Sequence, residues 1–198
     1  MKPTEVSKPA LALAVGDPLA DQVFDGSAEL ERVSVPGIDR TVVWRVRGEA
    51  GDHPLQVYVG IWPDGRARVL TANQEAWADL VAATGVQLTE ADQARSYLET
   101  YLEVTRGAMV IVEPVKSLDD LHWRPGSSDE ERARADLLAN PPDIASVASE
   151  TDDGFHVELP LVVDQRLQRN AFDVTREGEI THASYEVFAD NLPLPIAR

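Results

Sequence analysis

The strongest constraint on this chain is a series of alternating apolar and polar residues, broken by turn signals, over residues 144–189. Segments 144–150, 155–163, 167–176 and 180–189 carry the two-residue period of strands with one buried face. Between them stand Asp152-Asp153-Gly154, Asp164-Gln165 and Glu177-Gly178. Asp-Gly between alternating runs is a hairpin signal, because both residues tolerate the positive φ of tight turns, and Glu-Gly is a weaker form of it. An antiparallel β-meander is therefore expected. Its register follows from the turns. A turn at Asp164-Gln165 sets Val157 opposite Phe172 and Phe155 opposite Val174. A two-residue turn at Glu177-Gly178 sets Phe172 opposite Ala183 and Asn170 opposite Tyr185. Val157, Leu159, Phe172, Val174, Ala183, Tyr185 and Val187 then form one apolar face.

The partner for that face is a helix. Ala94, Tyr97, Leu98, Tyr101, Leu102 and Thr105 recur at spacings of three and four, ending at Arg106-Gly107. Upstream, Asp17-Pro18 reads as a helix start with proline at its first position. Alternation predicts strands over 41–47 and 55–61, a weak one over 30–35, and a hairpin over 55–70 closed by Pro63-Asp64-Gly65. Thr71 and Gln74 fit a capping box for a helix that ends at Gly85. Residues 108–115 read as a buried strand stopped by Pro114, and 129–138 as a short charged helix broken by Asn140-Pro141-Pro142. Residues 1–15, with two prolines and no usable period, read as a flexible tail. The expected fold is thus α+β, an antiparallel sheet with a C-terminal meander packed on a long helix. A single domain is expected over 16–198, with a possible subdivision near 117–128.

The helix over 91–106 followed by the hairpins over 155–188 resembles the cystatin/NTF2-like superfamily in topology. The resemblance covers roughly the second half of the chain and implies a curved meander wrapped on a helix. Such folds host enzymes, ligand binders and interaction modules alike, so the resemblance by itself does not choose among them.

The formal net charge of −16 argues against nucleic acid, whose phosphates need Lys and Arg, and against anionic membranes. It favours a basic protein partner, and a homo-oligomer stays open. The absence of cysteine excludes disulfides and Cys-containing zinc sites. An acid near the start, a short apolar run at 10–15 and no run of membrane-spanning length lead to a cytoplasmic expectation. No phosphate loop, nucleophile elbow or His-Glu-x-x-His motif is present, and no cofactor is expected.

Three groups of residues remain as candidate sites. The meander register puts His156, Asp173 and His182 in one row on the polar face, with Glu158 nearby. Two imidazoles around a carboxylate can hold a metal or move a proton, although polar-out alternation yields the same row unaided, and no metal is expected. His122, Trp123 and Arg124 sit in a loop with the composition of a binding hot spot, or of a tryptophan covering a core edge. Tyr97, Tyr101, Asn170 and Tyr185 would line a pocket between helix and sheet. The leading reading is a non-catalytic acidic protein-binding module of accessory, chaperone-like or immunity-like type. The alternative is a small-molecule binder or enzyme using that pocket.

Overall fold

The computed structural model describes residues 6–40, 42–107, 112–124, 126 and 128–194. Two compact units result, Met1–Gln87 and Leu88–Arg198, rather than one domain. The division falls between the strand-rich first half and the long helix, not near 117–128, because each half carries its own antiparallel sheet.

The first unit contains helices α1 (Lys8–Val15), α2 (Asp17–Asp25) and α3 (Gln74–Thr84). Its sheet runs β1 (Glu29–Val33), β2 (Val43–Ala50), β3 (His53–Ile61) and β4 (Ala67–Val69) in sequence order. Trp44 and Val46 on β2 and Val59 on β3 cluster with Leu11, Leu19, Ala20 and Val23 of α1 and α2. The segment expected to be a tail is therefore helical from Lys8 onward, and Leu11 is fully buried. Ser7 caps α1 by accepting from the Ala10 amide at 3.3 Å, and Pro9 sits in the first turn, where a missing N–H costs nothing. Residues 1–5 lie outside the described residues.

α3 is capped by Asn73, whose Oδ1 accepts from the Ala76 amide at 3.0 Å, and not by Thr71. The Thr71 hydroxyl instead accepts from the Tyr58 amide at 2.8 Å, tying the start of that loop to β3. The β3–β4 hairpin closes as expected on Pro63-Asp64-Gly65, with the Trp62 amide donating to Arg66 O at 2.9 Å and Gly65 at φ 84°. Gly60 has a packing role: a Cβ there would come within 3.1 Å of Leu80, Leu70 and Trp62 side chains.

The second unit is built on α4 (Ala91–Thr105), which packs over β5 (Val112–Pro114), β6 (Val147–Thr151) and β7 (Gly154–Val163). Strand β8 (Arg166–Thr175) pairs with β7, and β9 (Ile180–Ala189) pairs with β8 to complete the meander. Ala94, Tyr97 and Leu98 of α4 are buried, as are Phe155, Val157 and Leu159 of β7. The Tyr97 hydroxyl donates to Gly178 O at 2.8 Å, so the helix also fixes the β8–β9 turn. A second cluster gathers Val115, Leu121, Leu137, Val162, Leu167, Leu192 and Leu194. Leu137 belongs to α5 (Ser128–Ala139), and Leu121 follows a short 3-10 turn, Leu118–Asp120, closed by a Ser117–Asp120 capping box. Of the strand expected over 108–115, residues 108–111 lie outside the described residues.

The β7–β8 register is the one the turns predict, with Val157 opposite Phe172 and Phe155 opposite Val174. The β8–β9 register begins one residue out of step. Its turn has three residues, not two: the Thr175 amide donates to Glu179 O at 2.9 Å, and Gly178 at φ 85° completes an Arg176-Glu177-Gly178 loop. Phe172 is therefore opposite His182. A bulge then leaves Ala183 unpaired, so that Asn170 faces Tyr185, as expected, and Arg169 faces Glu186. A further irregularity leaves Phe188 unpaired, with Leu167 opposite Ala189.

Gly154 opens β7 at φ 154°, and a Cβ there would lie 2.3 Å from Val174 O. Gly154→Ala is expected to lower stability by about 2 kcal/mol or more, through backbone strain and a steric push against β8. Chemical denaturation of the variant checks this, and an unchanged midpoint would refute the geometry.

Candidate functional site

The three predicted groups land in different places. On the face of the meander away from Val157 and Phe172, His156 Nδ1 lies 2.8 Å from Asp173 Oδ1, as the β7–β8 register requires. Its other nitrogen is 3.7 Å from Glu158, and Glu158 is 3.6 Å from the Arg169 guanidinium. His182 does not join this row. The three-residue turn places Thr181, not His182, opposite Asp173, and turns the imidazole of His182 to the other face. Among the described residues no group of three His, Asp or Glu side chains is placed to hold a metal ion. What remains is a half-exposed histidine–carboxylate pair within a network of ion pairs that also engages Asp143.

The loop carrying His122, Trp123 and Arg124 is engaged with its own unit. His122 is exposed, whereas Trp123 is half-buried against the Val115–Leu137–Leu192 cluster. The Arg134 guanidinium stands 5.3 Å from the Trp123 ring centroid on α5. Arg124 pairs with Glu130 at 2.5 Å, and its amide donates to Pro193 O at 2.8 Å. The ring thus ties the loop, α5 and the chain end together, which is the core-edge use of tryptophan.

Of the residues expected to line a pocket, Tyr97 is wholly buried with its hydroxyl engaged by Gly178. Tyr101 is half-buried, and desolvation holds its hydroxyl above the usual phenolic range, with Thr105 offsetting part of the shift. Both belong to α4, which packs over β5, β6 and β7. Asn170 and Tyr185 are instead cross-strand neighbours on β8 and β9.

Around Asn170 the structure assembles a group that includes the expected pair Asn170 and Tyr185 and adds Gln168 and His182, which sequence reasoning did not bring in. Asn170 is only 4% exposed. Its Oδ1 accepts from Gln168 Nε2 at 3.3 Å, and His182 Nε2 lies 3.0 Å from the same oxygen. The His182 ring is tilted against Phe172 at 5.1 Å and stacked with Tyr185 at 6.3 Å. Beside this buried polar group, β9 exposes apolar side chains: Tyr185 is 59% and Val187 43% exposed. Polar Gln168 and Asn170 at alternate positions with buried Phe172 were the sequence signal available, since buried polar groups are uncommon without a purpose. The inclusion of His182 had no such signal, because it depends on the bulge.

Compared with known proteins, the chain matches no family model, no curated protein and no solved structure. No helix among the described residues is long and apolar enough to cross a membrane.

Trp123→Ala is expected to cost about 2 kcal/mol of stability, the order for losing a half-buried tryptophan. A thermal melt that does not move would return Trp123 to the role of an exposed binding residue.

Proposed function

We propose that the chain is a non-catalytic, acidic protein-binding module that engages its partner through the β9 side of the second unit. The observation that carries this reading is the exposure of Tyr185 and Val187 on one face of a strand that, among the described residues, is paired on one side only. Large apolar side chains grouped on an outer strand are the usual material of a contact surface. The bulges at Ala183 and Phe188 leave only a short regular ladder between them. Bulged edges discourage strand-to-strand addition, which favours docking on the side-chain face.

The partner is proposed to be basic. Glu179 and Asp190 flank β9, and Glu186 lies within it on the opposite face from Tyr185; all three are exposed, and none has an ion-pair partner among the described residues. Together with the net charge of −16, they favour a cationic surface and disfavour a second copy of this chain. The scattering of His122, His156 and Tyr97 over separate places supports a binding role over a catalytic one. The packing of α4 across an antiparallel meander supports the cystatin/NTF2-like kinship as part of the same proposal.

The test is affinity capture from the source cells with the whole chain as bait. A specific partner should be retained at low salt, be lost near 0.5 M salt, where the screening length falls to roughly 4–5 Å, and be lost to the Tyr185→Ser/Val187→Ser bait. Capture that survives both changes, or no capture at all, contradicts the reading.

A further inference from the structure

The buried amide of Asn170 supplies an inference independent of the protein-binding reading. Its Oδ1 has two neighbours at hydrogen-bonding distance, Gln168 and His182. Its Nδ2 is buried and has no hydrogen-bond partner. A buried donor left in this condition costs free energy, so such groups persist where something uses them. The residue directly across from Asn170 is Tyr185, which stacks on His182 and is mostly in solvent. An exposed ring can change rotamer within nanoseconds without disturbing a core.

We propose that Asn170 Nδ2 is the floor donor of a small-molecule site, with Tyr185 as its movable cover, and that the ligand is flat and presents a neutral carbonyl oxygen. The donor specifies an acceptor atom. The stacked rings of His182 and Tyr185, with Phe172 behind them, provide walls suited to a planar group. A carbonyl is favoured over a carboxylate because Gln168, Asn170, Phe172, Tyr185 and Val187, which share this face, bring no Lys or Arg, the imidazole beside them, His182, is already engaged with Asn170 Oδ1, and the chain as a whole is strongly negative.

Three probes of one shape separate the possibilities: benzamide, benzoate and benzylamine, titrated into the 15N-labelled 198-residue chain. The readout is the side-chain amide resonance pair of Asn170, assigned by its disappearance in Asn170→Asp. Benzamide should shift that pair saturably, benzoate should bind about tenfold more weakly, and benzylamine should leave it unmoved. Tyr185→Ala should fold normally, since the ring is exposed, and should weaken benzamide binding by loss of stacking. An Asn170 amide that benzamide does not move, or that benzylamine moves equally, overturns the proposal. The first result would mean that a resident water alone satisfies the donor.

Discussion

The second unit depends on one constraint, the pairing of β8 with β9. Two departures from a regular hairpin act on it in opposite directions. The three-residue turn ending at Gly178 advances β9 by one residue, and the bulge at Ala183 takes that residue back. Between the turn and that bulge a short stretch is displaced, and it contains His182. Because successive side chains of a strand alternate between faces, one residue of displacement decides whether an imidazole faces Asp173 or Asn170. The hydroxyl of Tyr97, which holds Gly178 O, links this geometry to the buried face of α4. The arrangement of the polar group around Asn170 is thus set by a turn and a bulge, not by the residues that form it.

The same face shows an inversion of ordinary alternation. β8 buries Gln168 and Asn170 while β9, alongside it, exposes Tyr185 and Val187. Burying amides is unfavourable unless they are paired, and exposing large apolar side chains forgoes the benefit of removing them from water. Neither feature helps the chain to fold. Departures from local consistency of this kind concentrate where a protein meets something else. On the other face the order is the usual one: His156, Asp173, Glu158 and Arg169 satisfy one another in solvent-facing pairs.

Much of the fold was legible in the sequence, for identifiable reasons. The period of α4 and the alternation of β7 and β8 arise from burial on one side, and burial leaves its mark on residue type. Gly26, Gly65, Gly85 and Gly178 mark positive φ, which other residues adopt at a cost. What was not legible depended on a choice between near-equal local options. Ser7-Lys8-Pro9 starts a helix as readily as it starts a loop, and only the burial of Leu11 decides. Asn73 and Thr71 both offer an oxygen for capping, and Thr71 is drawn away by the Tyr58 amide. Ala183 gives no sign that it is unpaired. The division at Gln87 was equally silent, since no Gly- or Pro-rich linker marks it.

The most direct measurement is a set of cross-strand proton contacts between β8 and β9 in solution by NMR. The account predicts contacts from Phe172 to His182 and from Asn170 to Tyr185, with Ala183 lacking a partner across the ladder. Contacts from Phe172 to Ala183, with the His182 ring beside Asp173 and His156, would contradict it.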